Sequence, residues 1–493
     1  MNAALARVPA PWFAAALLSA VLFASSPRPG PFGALAIAAA ALLVQAIRTA
    51  PAAPHAALAA SVAATGPAAV AASAIAPLAP WGSVVATFAF ALPFAAVGAL
   101  PDLSGVARPD RRGWRTGLLV AAGWCGVEAF VGSTFLLGAW AIPSLALGTA
   151  LADGPLLGLA SLGGVRGLSL AVLLVGGTIA TLPGPRVRGV ALVAVAGAPL
   201  LAAAASSTTD AQGLGAEGGG PTVSLRLVQP VPTPQSIAAA RLDPGSADAY
   251  ATFLREHARG AAAEGRLLVW PEAALPAPWV DPASGVPPAP FPLAGDVLFG
   301  AATIRDGASY NSVLLWRGLR AETHVVADKR RLVPLTEAGL TSGRPRPPTP
   351  WRDVRIAGLV CWEAAFQELA RRAAREGATL LAIVANDTYA GEGPVGRLHL
   401  RMARLRAVES GLPVVFVQAT GPSAAIAADG TVMARLAAGR TGSLDVDLPS
   451  DTIATPFRRH GDLIGPGAAA ACLLSVGRRV RTRDPARRKG GTS

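Results

Sequence analysis

Between Trp12 and Ala205 the chain is a succession of apolar runs, most of them close to the length of about 17 to 25 residues that crosses a bilayer. They are Trp12–Ser25, Phe32–Ile47, Ala56–Leu78, Gly82–Leu100, Thr116–Leu136, Gly163–Leu182 and Gly189–Ala205. A chain written this way has few folds open to it, because unpaired backbone polar groups in lipid leave only helices and closed barrels. The runs are too long and too continuous for barrel strands. They predict a bundle of about seven helical spans over residues 1–205. The composition agrees, since 52% hydrophobic and 15% charged is too apolar for a water-soluble protein of 493 residues. Trp12–Ser25 reads as a retained helix rather than a signal peptide, because further spans follow it closely.

The cations give the orientation. With the N-terminus inside, Arg48, the cluster Arg108, Arg111, Arg112 and Arg115, and the pair Arg186 and Arg188 all fall on the inner face. The seventh run then exits, which places the following residues on the extracytoplasmic side. Leu463 to Val476 returns to a basic tail inside, although Gly465, Pro466 and Gly467 predict a short or distorted segment there. The net charge of +13 is therefore topological, and its scatter among short loops argues against a nucleic-acid partner. Leu137 to Ala160, broken by Pro143, Gly148, Gly154 and Pro155, suits a re-entrant segment. Glu128, inside the fifth run, is either a polar site or a carboxylate paired within the bundle.

Residues 206–221 are rich in Ser, Thr and Gly and read as a linker. From 222 to 450 the period changes. Short apolar runs alternate with helix-like stretches: Val223–Val228 before Asp248–Ala263, Val354–Val360 before Gln367–Glu376, Thr379–Val384 before Gly396–Glu409. Leu267–Trp270, Val297–Ala302, Ser312–Trp316, Pro413–Val417 and Ala424–Ala427 add further strands. This predicts an α/β domain with a layered sheet. Residues 451–493 then form the last membrane segment and the tail.

Three polar residues stand at or just past apolar strands in this domain: Glu272 in Trp270-Pro271-Glu272, Lys329, and Cys361 in Cys361-Trp362-Glu363. A thiol reacts as its thiolate and needs a base nearby, and a carboxylate raised by burial can serve. An ammonium and a backbone N–H, here that of Trp362, can hold an oxyanion. Among 43 lysines and arginines only Lys329 and Lys489 are lysines. Arginine is used almost everywhere else, so an interior lysine marks a place that needs a compact ammonium with rotatable donors. Glu337, Glu363 and Asn386 are candidate supporting residues, whereas Arg404, Arg406 and Glu409 read as helix pairs. The five histidines show no triad spacing, and there is no zinc-ligand pattern or phosphate-binding glycine loop. No cofactor or metal is expected.

These motifs resemble the nitrilase, or carbon–nitrogen hydrolase, superfamily, and with the membrane half the chain resembles the apolipoprotein N-acyltransferase family. The resemblance rests on Trp270-Pro271-Glu272, on Lys329 with Leu332-Val333-Pro334 and Glu337, on Cys361-Trp362-Glu363, on Asn386-Asp387, and on Met402 to Glu409. Gly154-Pro155-Leu156 and Gly163-Gly164-Val165-Arg166-Gly167 fit as well. It implies an extracytoplasmic αββα sandwich beside the bundle in a bacterial inner membrane. It also implies Glu272 as base, Lys329 as oxyanion group, Cys361 as nucleophile, and Glu337 and Glu363 in support. The donor would be a phospholipid and the acceptor the α-amine of a diacylglyceryl apolipoprotein. The sequence departs from the family pattern at Ile237 to Ala240, which lacks a tryptophan, after Glu128, where no arginine follows closely, and after Asn386-Asp387, where Tyr389 alone supplies an aromatic. Two other readings use the same residues: a membrane-bound amidase in which water discharges the thioester, and a non-catalytic scaffold that keeps the fold.

Overall fold

The computed structural model describes residues 11–25, 31–73, 79–106, 113–188, 190–191, 221–232, 235, 252, 255–257, 264–275, 278–281, 295–334, 336–390 and 394–483. Residues 206–220 of the linker, most of the seventh run, nearly all of the expected helix Asp248–Ala263, residues Ile237 to Ala240 and the tail beyond 483 lie outside these. The chain forms two compact units. One holds the N-terminal helices and residues 462–493, and the other holds residues 160–164 and 211–461.

The helical unit contains α1 (Pro11–Ser25), α2 (Leu35–Thr49), α3 (Ala53–Ala72), α4 (Pro80–Ala91), α5 (Ala95–Leu103), α6 (Trp114–Val131), the single turn α7 (Thr134–Leu137) and most of α8 (Ala160–Thr181). Among the described residues three helices are long and apolar enough to cross a membrane: Ala53–Ala72, Pro80–Leu103 and Leu157–Thr181. Trp114–Val131 with Thr134–Trp140, bent by 47°, makes a fourth if the pair is one span. The sequence led us to expect more. The helices α1 and α2 stop at 15 residues each, about 22 Å of helix, shorter than a hydrocarbon core of about 30 Å.

Small residues bring these helices close. At Gly98 on α5 a Cβ would lie 2.0 Å from the Ala56 carbonyl oxygen on α3, so only glycine fits. The broken segment after α7 is a series of 3₁₀ turns, Gly138–Trp140, Pro143–Leu145, Leu147–Leu151 and Leu157–Leu159, as the re-entrant reading expects. Its backbone is satisfied by side chains. Glu128 Oε1 accepts from Leu147 N–H and from Trp124 Nε1, each at 2.9 Å. Ser169 Oγ accepts from Gly148 N–H at 2.9 Å. Arg166 donates to the Glu128 carbonyl at 3.1 Å and pairs with Asp462. Glu128 is thus paired within the helical unit. The last helix of this unit is longer than expected, running Ile464–Arg483. Gly465, Pro466 and Gly467 fall in its first turn, where proline's missing N–H costs nothing, and Asp462 Oδ1 accepts from Gly465 N–H at 3.1 Å.

The second unit is a sandwich of two sheets. One sheet runs β13-β1-β2-β4-β5-β6, with β3 beside β4, and the other runs β12-β11-β10-β9-β8-β7. The strands of the first are β1 (Thr222–Gln229), β2 (Leu267–Val269), β3 (Trp279–Val280), β4 (Val297–Arg305), β5 (Ala308–Arg317), β6 (Glu322–Asp328) and β13 (Gly442–Pro449). Those of the second are β7 (Thr349–Trp351), β8 (Val354–Val360), β9 (Leu380–Ala385), β10 (Val414–Gln418), β11 (Ser423–Ile426) and β12 (Val432–Leu436). The pairs β1–β2, β2–β4, β8–β9 and β9–β10 are parallel. Every residue of β9 and β10 is buried, as parallel strands covered on both faces require. The helices following β8 and β9, α9 (Gln367–Arg375) and α10 (Pro394–Ser410), correspond to the expected ones, and a short α11 (Pro456–His460) follows β13, leaving the last helix as α12.

The sheets meet closely around Glu272. At Gly300 on β4 a Cβ would lie 2.5 Å from Glu272 Cα and 3.1 Å from a Val384 methyl on β9. Gly300→Val is therefore expected to lower the melting temperature, by the equivalent of about 1–3 kcal/mol, and to slow any reaction at Cys361. Thermal unfolding and thiol alkylation of the variant check this. An unchanged melting temperature would show that the sheets can part there at little cost.

Candidate active site

Glu272, Lys329, Cys361 and Asn386 each lie just beyond a strand, after β2, β6, β8 and β9. Three of those strands are in the parallel parts of the two sheets, whose carboxyl ends open toward one place.

Lys329 is 1% exposed, which demands compensation for its charge. Its Nζ donates to Glu337 Oε1 at 2.7 Å and stands 3.8 Å from Glu272 Oε1. Glu337 Oε2 also accepts from Val333 N–H at 2.7 Å, so one carboxylate shapes the loop and holds the lysine. Asn311 on β5 has the same double part. Its side-chain amide donates to Glu272 Oε1 at 2.7 Å, and its carbonyl accepts from Lys329 N–H at 2.7 Å. Sequence reasoning missed Asn311, because an asparagine inside a strand carries no motif.

Cys361 is buried and has φ of +52°, the left-handed region that a side chain disfavours. It opens the 3₁₀ turn Cys361–Ala365, so the chain turns sharply where β8 ends. Glu363, 1% exposed, fixes this turn. It accepts from Val360 N–H at 3.0 Å and, across the site, from Arg330 N–H at 2.8 Å and Arg331 N–H at 3.2 Å. The residue beside the nucleophile candidate is thereby bonded to the loop that carries Lys329. Arg406, from α10, donates to the Ala364 and Ala365 carbonyls and pairs with Glu409, the helix pair expected from the sequence. Arg404 bonds the Gly430 carbonyl. Trp362 is half-buried with its ring edge-on to Phe366. The Asn386 side chain lies 3.5 Å from the Glu272 carbonyl and accepts from Thr388 N–H at 3.1 Å.

Burial pushes the Cys361 thiol well above its ordinary value, and the neighbouring Glu272 charge adds to this. Lys329 and the Asn386 backbone N–H oppose both. Burial likewise raises Glu272, against the pull of Lys329 and Asn311. It raises Glu363 against the backbone donors of Val360 and Arg330. For Lys329, burial works against the charge, but Glu272, Cys361 and Glu337 more than offset it and the ammonium is held firmly protonated. A neutral thiol, an elevated carboxylate and a fixed ammonium in one buried place can accept an acyl group on sulfur, move its proton to oxygen and hold the resulting oxyanion.

Close by stands a pair the sequence did not reveal. His399 Nδ1 and Asp387 Oδ2 are 2.8 Å apart, both residues buried. Donor atoms of Cys361, Asp387 and His399 lie within 4.8 Å of one another, so these are the residues that could hold a metal ion among those described. His399 is twelve residues from Asp387 and on a different element, with no spacing signal.

Glu363→Gln tests the bond between turn and loop. It places an N–H₂ where a carboxylate accepted three backbone donors, each bond to a charged group being worth about 1.5–3 kcal/mol. The expected outcome is a lower melting temperature together with slower alkylation of Cys361. Normal alkylation would mean that the turn holds its strained backbone without Glu363.

Comparison with known proteins agrees on both units. The apolipoprotein N-acyltransferase N-terminal domain matches residues 19–178, and the carbon–nitrogen hydrolase family matches residues 297–456. An apolipoprotein N-acyltransferase of Ralstonia nicotianae is 29% identical over 74% of this chain and 72% of its own length. Another, of Shewanella oneidensis, is 26% identical over 71% of both chains. Among solved structures, an amidase of Nesterenkonia sp. AN1 in complex with butyramide is similar over 49% of this chain and 94% of its own, with 21% identity and a TM-score of 0.37. One family model thus matches residues 19–178 and the other residues 297–456, and the chain is similar to apolipoprotein N-acyltransferases through 71–72% of their length.

Proposed function

We propose that this chain transfers a fatty acyl group from a membrane phospholipid to the α-amine of the diacylglyceryl-cysteine of apolipoproteins, through a thioester on Cys361. The reading is supported above all by one observation: Glu272, Lys329 and Cys361, from three strands of two sheets, converge in a chain that also carries an apolar helical unit. Both substrates are lipids, so the enzyme must meet them at a bilayer, which a soluble amidase has no need to do.

In this reading Glu272 takes the Cys361 proton as the sulfur attacks the ester carbonyl. Lys329 and the Trp362 N–H hold the oxyanion, and Glu272 returns the proton to the departing alcohol of the lysophospholipid. The acceptor amine then attacks the thioester, Glu272 takes a proton from nitrogen, and the sulfur leaves. Glu337 keeps Lys329 in place, and Glu363 and Asn386 hold the turn and the loop. In this reading the arginine-rich loops face the cytoplasm and the sandwich works on the periplasmic side of the inner membrane.

Purified protein in detergent, given phospholipid, should gain the mass of one acyl chain at Cys361. A diacylglyceryl peptide with a free amine should remove it. Cys361→Ala should gain none, and Glu272→Gln should acylate about 10³-fold more slowly or worse. Discharge by water at the same rate with and without peptide would make this a lipid hydrolase. Absence of any adduct on reduced enzyme would end the acyltransferase reading.

The rate of acylation should also depend on pH in a defined sense. Glu272 must be ionised to act as base, and its carboxyl is raised. The active fraction is lost as pH falls through that raised value, so the acidic limb should lie above the ordinary glutamate value of about 4.3. Single-turnover acylation against pH measures it. A limb at or below the ordinary value would remove Glu272 from that role.

A further inference from the structure

The segment Gly343-Arg344-Pro345-Arg346-Pro347-Pro348 takes no part in the chemistry above. Each proline fixes its own φ and keeps the residue before it extended, so the backbone presents both arginines stiffly. The segment is also tied down just ahead of them. Thr341 N–H donates to the Ser309 carbonyl at 2.7 Å, Gly343 N–H to the Lys329 carbonyl at 2.8 Å, and Ser342 Oγ to the Arg330 carbonyl at 2.9 Å.

Arg344 and Arg346 line one cavity with Arg330, which follows β6, and Arg372 on α9. The two carboxylates there, Asp328 and Glu376, are already engaged. Asp328, 3% exposed, accepts from Arg305 at 2.6 Å, from Ser312 Oγ at 2.7 Å and from Arg346 at 3.2 Å. Glu376 accepts from Arg372 Nε at 2.7 Å. Four guanidiniums thus face two carboxylates. Among the described residues no acceptor pairs with the guanidinium of Arg330 or of Arg344. Arg344 is exposed, but Arg330 is half-buried, and a cation withdrawn from water without a partner is costly. Burial and the nearby charges of Arg372 and Arg331 work against that cation more than Glu363 and Glu376 favour it.

We propose that Arg330, Arg344, Arg346 and Arg372 form a binding site for a phosphate group, either that of a lipid headgroup or free phosphate. The planar fork of a guanidinium matches two oxygens of a phosphate, and one tetrahedral oxyanion can serve several forks at once. The cavity is small, about 30 Å³, which is room for a few water-sized atoms and suits a single phosphate group. An anion there would supply the acceptor that Arg330 and Arg344 lack and would offset the excess of positive charge. None of Glu272, Lys329 and Cys361 lines the cavity, so the site is separate from the thiol. The carbonyl of Arg330 and its N–H are both bonded, to Ser342 and to Glu363, which leaves the guanidinium as the part of this residue still to be satisfied.

The test reads binding and not acyl transfer, so its outcome is independent of the proposed reaction. The full-length protein in detergent is dialysed to equilibrium against radiolabelled inorganic phosphate, with sodium chloride holding the ionic strength constant. Binding should saturate at one phosphate per chain. Arg330→Gln and Arg344→Gln should each weaken it about tenfold or more, as the loss of hydrogen bonds to a charged group requires. Arg344 is exposed and has no partner among the described residues, so its replacement removes no contact of the fold, and the melting temperature checks both variants. Arg320→Gln removes an exposed arginine elsewhere in the same unit and should leave the affinity unchanged. Unlabelled glycerophosphoethanolamine, a headgroup diester without acyl chains, separates the two sources. Displacement of the label by the diester assigns the site to lipid headgroups, and displacement by unlabelled inorganic phosphate alone assigns it to free phosphate; either result upholds the site. Three results would overturn it: no saturable binding, a folded Arg344→Gln variant with the wild-type affinity, or an equal loss in Arg320→Gln, which would make the binding an effect of diffuse charge.

Discussion

A lysine with 1% of its surface exposed sets the terms for everything around it. Its charge cannot be left alone in the interior, and two carboxylates answer it, one at 2.7 Å and one at 3.8 Å. That arrangement has a consequence for the thiol. The centre already holds one cation and two anions when both acids are ionised, and a thiolate would add a third negative charge to a site with little water. The sulfur is therefore held toward its protonated form, and in the proposed reaction its proton passes to Glu272 as the sulfur attacks. The raised values of both groups are two views of this single constraint. A neutral resting thiol also reacts slowly with oxidants.

The backbone bears the strain of that arrangement. Cys361 at φ of +52° costs about 1–2 kcal/mol, and such a conformation persists only when its surroundings fix it. Glu363 is the principal fixture. By accepting from Val360 and from Arg330 and Arg331, it makes the cysteine turn and the lysine loop one object. Cys361 cannot relax its backbone without also moving the loop that carries the ammonium. Glu363 thus ties the turn that carries the thiol to the loop that carries the ammonium.

This division explains what was legible in the sequence. Glu272, Lys329 and Cys361 stand out because polar residues that end apolar strands interrupt a simple pattern. Glu337 and Glu363 were visible as neighbours, but not what each would bond. Asn311 and His399 were obscured for a different reason: their partners, Glu272 and Asp387, lie on other elements, and a single sequence holds no sign of such contacts. The strands divide in the same way. Fully buried β9 and β10 were found as continuous apolar runs, and β8 as an apolar run broken by the exposed Arg355. β13 was missed although Leu444, Val446 and Leu448 alternate with Asp445 and Asp447, the pattern of a strand with one wet face. β7 contains Pro350, which fits an edge position and hides the strand from any reading by propensity. In the helical unit the first six apolar runs coincide with helices, but their ends differ. Apolarity does not mark where a helix stops, and Gly465, Pro466 and Gly467 read as an interruption when they are the first turn of α12.

The two units solve the same problem by the same means. In each, an irregular segment must sit where water cannot satisfy its backbone, and in each a buried glutamate accepts the orphaned N–H groups. Glu128 does this for the turn at Leu147, and Glu363 for the turn at Cys361 and the loop at Arg330. Arginine completes both: Arg166 holds the carbonyl of Glu128 itself, and Arg406 holds the carbonyls that follow Glu363. A carboxylate is suited to this role because its two oxygens can take several donors at once, where an amide could offer only one oxygen. It is also costly to bury, so the chain can use it only where those donors are fixed in advance. Such residues therefore mark the places where the fold departs from regular helix and strand, and in the sandwich that place is where the thiol stands.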